Sequence, residues 1–243
     1  MCGLSATLQN PFKVGYAQKD TASSGFAMLS AQFESVGAND GSATLADLTI
    51  GGYEKYDEKT DEGGTSGEFG IQVLTSSGTT EASYSWYDDD VKTGWFNDTT
   101  GESADSVSLE AGKGVWVSGH GLSMTSAGAV SESDVIITTA ASGFKAIANT
   151  TPVALTLSKL AITGYDPYDE KTDEGGTSGV FNIQFLTATG TTSASYSWYD
   201  DDEKTGWFND NTGDLANNVE IPAGAGVWVS GHGLTIRIPA PEL

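Results

Sequence analysis

Cysteine, histidine and arginine are almost missing from this chain. Cys2 is the one cysteine in 243 residues, so no intrachain disulfide can form. The two histidines, His120 and His232, both sit in Ser-Gly-His-Gly, which reads as a turn after a strand. A metal centre or a Ser-His-Asp triad needs several converging groups, and two turn histidines are thin material for either. Arg237 is the single arginine, while Gly, Ser, Thr, Asp and Asn abound. This composition points away from a cytosolic enzyme and toward an extracellular or cell-surface protein. No apolar run approaches the ~18 residues that would cross a membrane, and no full secretory leader is present. Cys2 would suit a lipid anchor, but the residues of a lipobox are missing before it. GxSxG, HExxH and P-loop patterns are absent as well, so the chain is expected not to be an enzyme.

Positive charge is also scarce. Eleven Lys and Arg face 33 Asp and Glu, a formal net charge of −22. Such a surface repels phosphate backbones and anionic headgroups, which excludes nucleic acid and acidic membranes as expected partners. It attracts Ca²⁺, whose ligands are carboxylate and carbonyl oxygens. Hydrophobic residues still make up 38% of the chain, enough for a packed core.

What the chain does have is two copies of one unit. Tyr53 to Leu122 aligns with Tyr165 to Leu234 at a constant offset of 112, with about 52 of 70 positions identical, well beyond chance self-similarity. Ahead of these blocks the copies have drifted. Ser24-Gly25-Phe26 answers Ser142-Gly143-Phe144 at an offset of 118. The domains are therefore expected at 1–124 and 125–243, the first with an extra strand at its N-terminus.

The apolar period is two. Phe69, Ile71 and Val73 alternate with Gly70 and Gln72, as do Phe181, Ile183 and Phe185 in the second copy. Tyr84 and Trp86 share a face opposite Ser83, Ser85 and Tyr87. Short runs rich in Thr, Val and aromatics, bounded by Gly, Asp and Asn, predict antiparallel strands. Thr75 to Gly78 and Asp88 to Gly94 read as connections between them. The expected fold class is all-β: two tandem antiparallel sandwich or barrel-like domains, with seven to nine strands each. The one helical candidate is Thr44 to Ile50, which suits a short turn equally well.

Three sets of residues are candidate sites. The acidic loops come first: Asp57, Glu58, Asp61 and Glu62 with their counterparts Asp169, Glu170, Asp173 and Glu174, and the triplets Asp88, Asp89, Asp90 and Asp200, Asp201, Asp202. Adjacent carboxylates with glycines can supply the six to eight oxygens of a calcium site. The EF-hand spacing is not met, because Lys92 stands where a ligand is needed, so a solvated acidic loop is the competing reading. The tryptophans come second. Trp86, Trp95, Trp198 and Trp207 would stack on sugar rings if exposed, giving a carbohydrate-binding module; buried, they are core. The third set is at the N-terminus. Gly3 to Leu8 resembles Gly121 to Ser126 at the offset of 118, and Leu4, Ala6 and Leu8 alternate with polar residues. The chain thus carries two bodies and three versions of a closing strand. The spare one is expected to pair at home or to insert into a neighbouring subunit.

Val14-Gly15-Tyr16, Gly25-Phe26, Ile71-Gln72-Val73-Leu74, Tyr84-Ser85-Trp86-Tyr87-Asp88, Gly94-Trp95 and Leu109-Glu110-Ala111-Gly112-Lys113-Gly114-Val115-Trp116-Val117 form a pattern. It resembles repeat domains of large secreted proteins of environmental bacteria, across most of both copies. The resemblance implies secretion and a β fold, and implies no catalytic residues. The function expected is a self-assembling structural subunit of an extracellular filament, tube or surface layer, joined by strand donation and stabilised by calcium. A carbohydrate- or ligand-binding module is the alternative.

Overall fold

The computed structural model describes residues 14–21, 24–30, 33, 35, 42–52, 69–89, 91–118, 121, 123–139, 141–164, 181–201, 203–230 and 233–241. It is all-β. The first ten strands are β1 (Val14–Asp20), β2 (Phe26–Leu29), β3 (Ala43–Thr44), β4 (Leu48–Gly51), β5 (Gly70–Leu74), β6 (Thr80–Asp88), β7 (Thr93–Asn97), β8 (Ser108–Leu109), β9 (Val115–Ser118) and β10 (Ser123–Ala129). The next ten are β11 (Val135–Thr138), β12 (Phe144–Ala148), β13 (Leu155–Thr156), β14 (Ala161–Thr163), β15 (Asn182–Leu186), β16 (Thr192–Asp200), β17 (Thr205–Asn209), β18 (Glu220–Ile221), β19 (Gly226–Ser230) and β20 (Thr235–Ile238).

Both sets of ten make the same sheets. A five-stranded sheet runs β2-β9-β5-β6-β7, and its counterpart runs β12-β19-β15-β16-β17. A three-stranded sheet, β1-β10-β4 or β11-β20-β14, and a two-stranded one, β3-β8 or β13-β18, complete each body. The register repeats too. Val73 and Leu74 flank a bulge in the first body, and Phe185 and Leu186 flank the equivalent bulge in the second. Among the described residues each body has ten strands against the seven to nine expected, because two-residue strands such as β3 and β8 are too short to show alternation. The strand β10 pairs with β1 through Ala129, so strands of the first body continue past residue 124. Its last half, Ser126-Ala127-Gly128-Ala129, has little apolar contrast to announce a strand.

Each body is a sandwich with its core between the two larger sheets. Ile71, Val73, Tyr84, Trp95, Val115 and Val117 of the five-stranded sheet meet Leu48, Ile50 and Met124 of the three-stranded one. Ile183, Trp207, Val227 and Val229 meet Leu160, Ile162 and Ile236 in the second body. The residues that alternate in sequence are those that point inward, as a pleated strand with one buried face requires. Thr44 to Ile50 resolves into a 3₁₀ turn, Leu45–Asp47, followed by β4. The Asp47 carboxylate accepts hydrogen bonds from the Thr44 N–H (2.7 Å), the Thr44 hydroxyl (2.8 Å) and the Ser35 hydroxyl. Burial pushes the Asp47 carboxyl up, but these three bonds outweigh it and hold it below the ordinary value. The second copy has Lys159 in that place.

Candidate functional site

Several predicted site residues lie outside the described ones: Leu4, Ala6 and Leu8, both histidines, Asp57 to Glu62, Asp169 to Glu174, Asp90 and Asp202. Of the described aspartates of the triplets, Asp88 and Asp200 end the strands β6 and β16, and Asp89 and Asp201 serve the hairpin turn. Asp89 Oδ1 accepts the N–H groups of Val91 (2.8 Å) and Lys92 (2.6 Å), and Asp201 Oδ1 accepts those of Glu203 (2.9 Å) and Lys204 (2.7 Å). Such Asx turns hold the hairpin at the residues where the sequence turns acidic. Among the described residues no three His, Cys, Asp or Glu side chains gather as a metal site. Above each turn a lysine lies over aromatic faces: Lys92 Nζ is 4.8 Å from the Tyr87 ring centre and 5.0 Å from that of Phe96. Lys204 repeats this on Tyr199 and Phe208, a cation–π contact that anchors the hairpin tip.

The tryptophans divide into two kinds. Trp95 and Trp207 are 0% exposed, which corrects their reading as sugar platforms: a ring with no free face cannot stack on a ligand. Each is walled in by Phe69 or Phe181 and by the edge of Trp86 or Trp198, at 5.5 to 5.9 Å between centres. Truncating such a ring costs about 3–5 kcal/mol, so these positions carry stability. Trp86 and Trp198 are half-buried and pack against the same cores.

Trp116 and Trp228 belong to a different surface. Val115 and Val117 point into the core, so Trp116 points the other way, and the second body covers it. The two five-stranded sheets meet there along β2 and β12. The Phe26 N–H donates to Ala188 O (2.8 Å) and the Phe144 N–H to Ser76 O (2.7 Å); the Ser30 N–H donates to Gly224 O (3.2 Å) and the Ala148 N–H to Gly112 O (2.8 Å). Each pair is one contact made twice with the copies exchanged, at offsets of 118 and 112. Phe26 stacks on Trp116 (5.5 Å, 13° between planes) and Phe144 on Trp228 (5.7 Å, 22°). Met28, Ala146 and Trp228 form the buried centre, with Leu74, Trp116, Phe144 and Leu186 around it. The result is an isologous interface between two halves of one chain. Gly78 and Gly190 lie against it as well: each is at φ +81°, which favours glycine, and a Cβ on either would touch the indole of Trp228 or Trp116 in the other body at an ordinary 3.5 Å.

At one end of this seam opens a cleft of about 310 Å³, lined among others by Thr75, Ser76, Glu81, Glu110, Lys113, Thr138, Phe144 and Lys145. Lys145 Nζ donates to Thr138 O at 2.9 Å. Burial lowers the Lys145 ammonium below its ordinary value, Glu110 works against that, and the like charge of Lys113 adds to it. The apolar side of the cleft comes from Leu74, Phe144 and Ala146.

Reasoning from periodicity missed this cleft. Residues such as Lys113 and Lys145 sit where a strand's outer face is expected to be solvated, and nothing in a period of two reveals that another body faces them. One signal was present: the copies differ here, with Ser193, Pro222, Ala225 and Ala27 at the positions of Glu81, Glu110, Lys113 and Lys145. Neither a family model, nor a curated protein, nor a solved structure matches this chain.

Proposed function

We propose that this protein is a structural subunit of an extracellular filament, tube or surface layer, non-enzymatic, and joined to its neighbours by donation of the N-terminal strand. One observation carries the reading. The closing-strand position is filled in both bodies, by β10 between β1 and β4 and by β20 between β11 and β14. The third closing-strand sequence, Gly3 to Leu8, therefore meets no vacant equivalent position among the described residues of its own chain. The second body is the natural acceptor. Its closing strand pairs with β11 over four residues, Val135 to Thr138, whereas β10 pairs with β1 over seven, Val14 to Asp20. A donated strand that matches β10 extends the shorter ladder, gaining main-chain hydrogen bonds as it displaces β20 from between β11 and β14. Repeated head to tail, this contact does not close on itself and builds a polymer.

Calcium enters the reading as the counter-ion of the acidic loops. A chain at −22 repels its own copies, and a divalent cation bound by carboxylates removes that repulsion where subunits approach.

The test is deletion of residues 1–9. Electron microscopy of the full chain should show polymers, and the deleted chain should remain monodisperse with its β-sheet circular dichroism intact. Polymers of unchanged form and stability from the deleted chain would rule out donation by this segment.

A further inference from the structure

We infer that the cleft at the seam between the two bodies binds a small hydroxylated monocarboxylate, of which a hexuronate is the type, with Lys113 and Lys145 receiving the carboxylate. Four observations carry this. The cleft holds about 310 Å³ and is bounded by strands from both bodies, a size that takes one sugar ring. Two ammonium groups converge in it although the chain has only eleven Lys and Arg against 33 Asp and Glu. Thr75, Ser76 and Thr138 line the same cleft as the two lysines, together with Phe144; a polar lining that includes one aromatic ring suits a sugar. Finally, the copies part company here: the charged quartet Glu81, Glu110, Lys113 and Lys145 is matched by Ser193, Pro222, Ala225 and Ala27.

The competing explanation is a charged clasp between bodies. Glu110 opposite Lys145 would suffice for that. It leaves Lys113 unexplained, because a second ammonium beside a partly buried one is repulsive in the empty cleft. A carboxylate bound between the two lysines removes that repulsion and forms charge-assisted hydrogen bonds to both. The exposure of the charges favours a single negative one. Lys113 and Lys145 are half-buried, whereas Glu81 and Glu110 are both exposed and screened by solvent, so the cleft keeps a partial positive charge that one carboxylate matches better than a phosphate dianion. Lys145 gives Thr138 O one of its three N–H donors, which leaves two for a ligand. This inference is independent of strand donation, since no part of the cleft belongs to the N-terminal segment.

The experiment is isothermal titration calorimetry of the full chain with sodium D-galacturonate, with D-galactose as the neutral match and D-galactose 6-phosphate as the dianion. Galacturonate should bind one per chain, more weakly as NaCl rises, while galactose gives no heat. Lys113→Met and Lys145→Met should each weaken it at least about tenfold, and Lys145→Arg should restore part of the loss. The salt dependence of the wild-type chain needs no variant and stands if a variant fails to fold. Absence of galacturonate heat, equal binding of galactose, tighter binding of the phosphate, or full affinity in the folded double Met variant would each overturn the assignment.

Discussion

Gly143→Ala should loosen the seam between the bodies by more than its size suggests. Gly143 sits at φ +81°, and a Cβ there would lie 2.3 Å from Ser76 O and 3.1 Å from Ser76 C, both backbone atoms of the other body. Left-handed backbone costs a non-glycine residue roughly 1–2 kcal/mol. Relieving the overlap means moving the strand and the loop apart by about 1 Å, which breaks the hydrogen bond from the Phe144 N–H to Ser76 O. That loss adds about 0.5–1.5 kcal/mol, with some of the Phe144–Trp228 packing on top. The total is about 2–4 kcal/mol. At about 2–4 °C per kcal/mol for a chain of this length, the midpoint of thermal unfolding by circular dichroism should fall by roughly 4–16 °C. Gly101→Ala is the control. It has φ +72° and nothing within 4 Å of an added Cβ, so it feels the backbone cost alone, roughly 1–2 kcal/mol. The difference between the two variants isolates the contact between bodies. Equal midpoints for both would refute the reasoning, because the seam would then contribute nothing to stability.

Two further outcomes follow from charge. The Asp47 carboxyl is held below its ordinary value of 3.8 despite burial, by hydrogen bonds from Ser35 and Thr44; that of Asp134 is lowered by the N–H of Ala240 and by Arg237. A lowered folded-state pKa gives stability that is present above the unfolded value and is lost as pH falls through the folded one. The midpoint gap between wild type and Asp47→Asn should therefore be widest at neutral pH and narrow below 3.8; a gap that stays constant with pH would show that the carboxylate's charge is not what stabilises the turn. If calcium neutralises the acidic segments, millimolar Ca²⁺ should stabilise the fold over EDTA by up to about 2.7 kcal/mol at a hundredfold excess over Kd and raise the melting midpoint accordingly, and superimposable melts would rule that role out.

The sheets were legible because a strand with one buried face writes its period into the sequence. Ile71 and Val73, Val115 and Val117, and Tyr84 and Trp86 all stand on the faces that their alternation assigned. Turns were legible for a similar reason: Asp89 and Gly94 have local backbone jobs that need no distant partner. Trp95 shows where the pattern stops short. Its neighbour Phe96 is also aromatic, so alternation cannot say which of the two faces inward, and only the packing of Phe69 and Trp86 around it decides. The acidic segments 57–62 and 169–174, which lie outside the described residues, were legible as composition alone.

The seam was illegible for a deeper reason. Trp116, Phe144 and Leu74 lie on the second face of a sheet whose first face already has a core. A sequence records that such a face is apolar without recording what covers it. In a tandem repeat, though, the two copies supply a comparison that a single domain lacks. Contacts made twice across a pseudo-dyad constrain both copies alike: Trp116 and Trp228, Gly78 and Gly190, and Phe26 and Phe144 are each matched pairs. A contact made once constrains one copy only. Glu81, Glu110, Lys113 and Lys145 have no charged counterparts, yet they meet around one cleft. The identities between the copies thus trace the scaffold and its seam, and this convergence of differences traces a place where the two ends of the seam have been given different chemistry.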